Sequence, residues 1–359
     1  MRVFNFSAGP ATLPEAVLEE ARQSLLSYGS SGRSVMELSH RSPEYDEIHR
    51  HGIDRLRRLL AVPENFEILL LQGGASLQFA MVPANLMHGS GRADYVLTGT
   101  WSRKAAAEAR KVGEVRIAGS GEGDDFRRIP RPQELDFDAS ADFVHLTSNN
   151  TICGTQWRDL PETASVPAVV DMSSDILSRP IPWERVGLAY AGAQKNLGPA
   201  GVTLVIVRRD LMAGAPDDLP AMLDYRVHAA KGSLYNTPPT WSIYMLGLAC
   251  RWVEEQGGLA AMEAASLQRS RALYEAIDRL PAFRGTAEVD SRSRMNVTFR
   301  LATEELEAEF LRRAGERRMT NLKGHRSVGG IRASLYNALP MAAVEALIEL
   351  MEEFARESG

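Results

Sequence analysis

Leu188-Ala-Tyr-Ala-Gly-Ala-Gln-Lys-Asn-Leu-Gly-Pro-Ala-Gly-Val-Thr-Leu-Val-Ile-Val207 reads as a buried strand, a small-residue loop carrying one lysine, and a second buried strand. The runs Leu188–Ala191 and Val202–Val207 are apolar on both faces, which suits strands of a mostly parallel sheet covered by helices. Further runs of this kind lie upstream, at Glu67–Leu71, Tyr95–Thr98, Val115–Ala118, Phe143–Thr147 and Ala168–Asp171. Each is bounded by Gly, Pro, Asn or Ser, and helical patterns separate several of them, one of them at Trp101–Lys111. The expectation is an α/β domain.

Beyond about residue 250 the texture changes to a long helical stretch, 258–280, strand-like runs at 295–300 and 330–335, and a last helix opening at Pro340. This suggests a smaller α+β C-terminal domain. The expected division is a large domain at 15–255 and a small one built from 1–14 and 256–359.

With 359 residues, 44% hydrophobic and 24% charged, the chain is long enough to bury its core without staples. The net charge of −5 does not favour nucleic acid as a partner. Neither a signal peptide nor a run of about 18 apolar residues is visible, so a cytoplasmic protein without membrane contact is expected. The two cysteines, Cys153 and Cys250, are too few for a disulfide framework or a four-cysteine zinc site, and no metal is expected.

Ligands of open α/β sheets bind beyond the carboxyl ends of the strands. Four features sit at such ends. Gly73-Gly-Ala-Ser76 links a strand to a helix and could cradle a phosphate, or be a simple tight turn. Asp171 closes a strand, where it could face a cationic nitrogen or serve as an N-cap. Lys195 is one of only five lysines, and desolvation there would make it nucleophilic. Trp101 could stack on a planar ring or pack in a core. Together these are what pyridoxal phosphate needs: a Schiff-base lysine, a carboxylate for the pyridine nitrogen, an anchor for the phosphate and a stacking aromatic.

Seven segments then resemble the phosphoserine aminotransferases, class-V members of the fold-type I pyridoxal-phosphate enzymes. They are Phe4-Asn-Phe-Ser-Ala-Gly-Pro10, Ser34-Val-Met-Glu-Leu-Ser-His-Arg41, Gly73-Gly-Ala-Ser-Leu-Gln-Phe79, Asp171-Met-Ser-Ser174, Tyr190 to Gly201, Tyr235-Asn-Thr-Pro-Pro239 and Lys323 to Asn337. The resemblance implies a seven-stranded large-domain sheet and a reversible transamination. L-glutamate and 3-phosphohydroxypyruvate would give 2-oxoglutarate and O-phospho-L-serine, in serine biosynthesis, with phosphohydroxythreonine in vitamin B6 biosynthesis as the second substrate that some relatives use.

It also implies roles. Lys195 would join the cofactor, Asp171 pair with its ring nitrogen, and Trp101 stack on it. Ala75, Ser76 and Gln194 would hold the phosphate, with Thr151 near the ring hydroxyl. Asn236 and Thr237 would reach the phosphate of the other subunit of a homodimer. Arg332 would bind the substrate α-carboxylate, and His40, Arg41, His325 and Arg326 the distal anion. Ser76 and Ala8 depart from relatives that carry Arg and Ser there. Competing readings are an alanine–glyoxylate type transaminase, a desulfurase, which needs a mobile catalytic cysteine, an inactive dimeric binding protein, and a nucleotide-binding enzyme. The last has no P-loop or G-x-G-x-x-G to support it.

Overall fold

The computed structural model describes residues 2–358. Its frame is a seven-stranded sheet of β1 Phe66–Leu71, β2 Arg92–Leu97, β3 Glu114–Ser120, β4 Phe143–Thr147, β5 Ala168–Asp171, β6 Val186–Gly192 and β7 Thr203–Arg208. The spatial order is β1-β7-β6-β5-β4-β2-β3. All neighbours are parallel except β7, which runs antiparallel to both β1 and β6. The reason is length. Only residues 193–202 join β6 to β7, and a parallel return needs a crossover of about a dozen residues or more.

Every residue of β4, β5 and β6 is buried, which is why these strands read as unbroken apolar runs. Alternate side chains feed two cores. Val96, Val144, Leu146 and Val170 point to one face, and Tyr95, Phe143, Val169 and Tyr190 to the other.

Helices α1 Glu15–Gln23, α2 Pro43–Leu59, α3 Gly74–Leu86, α4 Thr100–Ala109 and α5 Thr240–Glu255 surround the sheet. α1, α2 and α5 share a separate apolar cluster of Val17, Ala21, Tyr45, Ile48, Tyr244 and Leu248. The first helix therefore packs on α5.

A second, antiparallel sheet contains β8 Arg284–Gly285, β9 Asn296–Arg300 and β10 Ile331–Ser334. α6 Gly258–Arg279, α7 Glu304–Glu316 and α8 Met341–Ser358 cover it. Phe283, Phe299, Phe310 and Phe354 form the centre of this core, and Phe6 joins it from the N-terminus. Phe4–Asn5 pairs in parallel with Met319–Thr320. α6 touches both cores, through Met262 on one side and Leu273 and Ile277 on the other.

A buried polar network pins the small sheet to the large one. Asn149 Nδ2 donates to Ser174 Oγ and to Asn296 Oδ1, both at 2.8 Å. Asn296 Nδ2 in turn donates to Ser334 Oγ at 3.0 Å and Tyr336 Oη at 3.2 Å. Buried amides satisfied in this way hold a single geometry. Among the described residues, no helix is long and apolar enough to cross a membrane.

Candidate active site

The C-terminal ends of β2, β4, β5 and β6 lie along one edge of the sheet, because the four strands are parallel neighbours. Asp171 is the last residue of β5 and is 6% exposed. Its Oδ1 accepts from Ser173 N at 2.9 Å and Ser173 Oγ at 2.6 Å, so the capping contact that the sequence allowed is present. Oδ2 has no hydrogen-bond partner among the described residues. Burial, opposed by Ser173 and by Lys195, holds the carboxyl above the usual carboxylate range. A cationic group facing Oδ2 would relieve that cost.

Lys195 lies on the β6–β7 loop. Burial of its amine lowers the pKa to about 8, against the pull of Asp171 and with the help of Arg332. At pH 7 that leaves about one amine in ten neutral, against about one in three thousand for an ordinary lysine. The Lys195 side chain packs on Gly9. A Cβ there would stand 3.4 Å from Lys195 Cγ, and the φ of +134° already favours glycine. Ala11 N donates to Gln194 O at 2.9 Å, which ties the N-terminal segment to the lysine loop. The Ala8 carbonyl is occupied, since Tyr336 Oη donates to it at 3.0 Å.

Trp101 stands in the first turn of α4, past the end of β2. Its Nε1 donates to Thr151 Oγ1 at 3.1 Å, and Arg332 Nη1 donates to Thr151 O at 3.1 Å. Asn150 shapes the Thr151 turn, donating to Thr98 O at 2.8 Å and accepting from Ile152 N at 3.0 Å. Arg332, on β10, keeps a buried Nε with no partner, and burial pulls its pKa down. An incoming carboxylate would satisfy it.

At the glycine turn, Gly73 has φ +89°, and a Cβ there would lie 2.5 Å from Leu77 Cδ2. No other residue fits without displacing Leu77. Ala75 is half-buried and Ser76 exposed, both in the first turn of α3, where backbone N–H groups are free for an anion. Asn236 Nδ2 donates to Gln72 Oε1 at 3.4 Å, and Gln72 Nε2 to Thr237 O at 3.4 Å. These two residues thus lie beside the turn of their own chain.

His325 and Arg326 sit on the loop before β10. Partial burial, then Arg332, Arg326 and Lys104, hold the His325 pKa below that of a free imidazole. His40 is half-exposed and Arg41 exposed, and no hydrogen bond or ion pair links either to Lys195 or Arg332 within one chain, among the described residues. The same residues contain no His, Cys, Asp or Glu group able to hold a metal ion.

The sequence reading gave no role to Ser173, Gly9 or Tyr336, although all three lie within the segments that carry the resemblance. Lys104 stands three residues after Trp101 on the same helix, a spacing that brings it over the ring. Its ammonium lies 4.9 Å from the centroid of that ring.

A nucleophilic amine, a carboxylate with one free oxygen, an aromatic wall, a helix N-terminus and an arginine with an open donor fit pyridoxal phosphate and an amino-acid carboxylate. The chain matches the family described as Aminotransferase class-V over residues 3–347. It is 55% identical over 356 residues to the phosphoserine aminotransferase of Geobacillus kaustophilus, covering 99% of each chain. The phosphoserine aminotransferase structure from Bacillus circulans subsp. alkalophilus superposes with a TM-score of 0.97 at 49% identity, covering 100% of this chain and 99% of that one. The PLP-bound phosphoserine aminotransferase of Trichomonas vaginalis gives 0.93 at 40% identity, covering 98% of this chain and 100% of that one. The chain belongs to the class-V aminotransferase family, among its phosphoserine aminotransferases.

Proposed function

We propose that this chain is a pyridoxal-phosphate transaminase that exchanges an amino group between L-glutamate and 3-phosphohydroxypyruvate, giving 2-oxoglutarate and O-phospho-L-serine, a step of serine biosynthesis. The observation that carries it is Arg332, fixed by Thr151, open at Nε and close enough to Lys195 to lower its pKa. It puts a carboxylate-binding fork beside the reactive amine. When bound, the cofactor supplies an aldehyde that accepts the amino group and a ring that takes up electrons.

The chain's own residues do the rest. Arg332 binds the α-carboxylate and so aims the substrate Cα at Lys195. Lys195 Nζ, whose burial raises its neutral fraction, would take the Cα proton and then act as its donor. Asp171 Oδ2 would hold the ring nitrogen protonated, with Ser173 fixing Oδ1. Trp101, tethered through Thr151, would cover the ring. The first turn of α3, with Ala75 and Ser76, and Gln194 would hold the phosphate. His325 and Arg326 receive the distal phosphate or γ-carboxylate.

We read 15–255 as the cofactor-binding unit, and 1–14 with 256–359 as the unit bringing Arg332, His325 and Arg326. The active form is a homodimer, in which Asn236, Thr237, His40 and Arg41 complete the site of the second copy. Supporting this, His40 and Arg41 make no hydrogen bond or ion pair to Lys195 or Arg332 of their own chain among the described residues.

The desulfurase reading lacks a nucleophile. Burial pushes the half-buried Cys153 thiol up to about 11 and the buried Cys250 thiol to about 12. Neither supplies a thiolate at neutral pH. An alanine-type transaminase has no use for a cationic loop at the distal end.

The test is product analysis with O-phospho-L-serine and 2-oxoglutarate. Stoichiometric glutamate and 3-phosphohydroxypyruvate are expected. Cofactor-loaded protein that forms neither overturns the proposal.

A further inference from the structure

Asn296 is a polar residue that the packing of the small sheet does not require. It opens β9 and is fully buried. Asparagine is a poor strand former, and a buried amide costs free energy unless its polar atoms are paired. Replacing a buried hydrogen-bonded set by apolar groups of the same shape can be nearly neutral for stability, so the amide calls for another explanation.

Its partners supply one. Asn296 Oδ1 accepts from Asn149 Nδ2 at 2.8 Å, and Asn296 Nδ2 donates to Ser334 Oγ at 3.0 Å and Tyr336 Oη at 3.2 Å. Asn149 is itself locked in place. Its Nδ2 also donates to Ser174 Oγ at 2.8 Å, its Oδ1 accepts from Ser293 Oγ, and its carbonyl accepts from Ser174 Oγ at 2.9 Å. All of these side chains are buried.

Two of the contacts bracket Arg332. In the register of the small sheet Asn296 is opposite Ser334 and Thr298 opposite Arg332, and alternate residues share a face. Ser334 lies two residues past Arg332 on β10. Asn149 lies two residues before Thr151, whose carbonyl is the sole acceptor of the Arg332 guanidinium among the described residues. One amide therefore joins the strand that carries the fork to the turn that receives it. Thr298 adds a second tie, donating to Cys153 O at 3.0 Å. Residue 154 is glycine, and a Cβ there would collide with Thr298 Oγ1. One face of the small sheet thus holds Asn149, Thr151 and Cys153, alternate residues of one segment.

We propose that Asn296 is a positioning residue for the transamination, holding Arg332 in register with the Thr151 turn so that the bound α-carboxylate aims the substrate Cα at Lys195. This rests on the transaminase reading above. Asn296 acts through Arg332 and Thr151. Thr151 Oγ1 also accepts the Trp101 indole N–H at 3.1 Å, so the same link sets the fork relative to the aromatic wall. With the amide removed, Arg332 keeps its charge but loses the tie that fixes where the fork points. A misplacement of about 1 Å, even from a change far from the chemistry, can cost about a hundred-fold in rate.

The experiment is a double-mutant cycle on the cofactor-loaded protein, with O-phospho-L-serine varied against saturating 2-oxoglutarate. Wild type, Asn296→Ala, Arg332→Gln and the double variant are compared. Asn296→Ala should lower kcat/KM about 10- to 30-fold, with the larger part in KM, because several other ties remain. In the Arg332→Gln background the same change should cost less than about two-fold, since no fork is left to misplace. If Asn296→Ala does not fold, Ser334→Ala removes one arm of the network and is read in the same way, with about a three-fold loss in the wild-type background and none in Arg332→Gln. Equal losses in the two backgrounds overturn the proposal, because they mean that Asn296 only supports the fold. Wild-type kcat/KM in either Asn296→Ala or Arg332→Gln overturns it too. Wild-type protein that forms no glutamate from phosphoserine would overturn the transaminase reading instead.

Discussion

Replacing Asp171 with Asn tests the cofactor site with two opposite signs. Asn keeps an oxygen for Ser173 N and Oγ, so the local turn survives. What is lost is the charge at Oδ2. In the protein without cofactor, Asp171 is held above the usual carboxylate range by burial. The folded pKa exceeds the unfolded one, so the folded state binds more protons between the two values. Stability is therefore lost as pH rises through the folded pKa. Asn carries no such penalty, so at pH 8 the cofactor-free variant should melt no lower than wild type. With cofactor the sign reverses. A hydrogen bond to a charged partner contributes about 1.5–3 kcal/mol, so cofactor retention should weaken by about 10- to 150-fold. The half-reaction should slow by at least as much, because the ring nitrogen is no longer held protonated. The assays are thermal melts with and without cofactor, equilibrium dialysis, and stopped-flow absorbance with O-phospho-L-serine. A variant that is less stable without cofactor, yet binds and turns over like wild type, would refute the role given to Oδ2.

Other outcomes follow from single groups. Lys195→Ala protein should still bind cofactor non-covalently but lose transamination by a factor of about a thousand or more, read in single turnovers; near wild-type rates would remove Lys195 from the mechanism. In cofactor-free protein, labelling of Lys195 by an amine-reactive reagent should show a midpoint near pH 8, matching its depressed pKa, and stability should rise with pH between about 8 and the ordinary lysine value, since there the unfolded state binds more protons. Gly73→Ala meets Leu77 Cδ2 at 2.5 Å with φ at +89°, so about 1–3 kcal/mol of destabilisation in chemical denaturation is expected, together with weaker phosphate anchoring.

The central strands were legible because all their residues are buried. β4 and β5 match the apolar runs 143–147 and 168–171 residue for residue. The reversed direction of β7 was not read from the runs, because apolar patterning carries no polarity; the shortness of the 193–202 link carries it instead. α2 escaped notice although Ser42 caps it and Pro43 opens it, both regular start signals. α5 was legible only as a helical run around Cys250, without bounds. It is apolar nearly all round, with Ile243 to Cys250 buried without interruption, so no amphipathic period marks its ends. At the site, Lys195, Asp171 and Trp101 were legible from residue type and position at strand ends. The links between them, through Thr151, Ser173 and Gly9, depend on segments far apart in sequence.

The most direct test of the account is the visible spectrum of the cofactor-loaded protein during titration with O-phospho-L-serine and, separately, with L-alanine. The account predicts that phosphoserine abolishes the band of cofactor joined to Lys195 and that alanine at equal concentration does so far less. A band that responds to alanine but not to phosphoserine would contradict it.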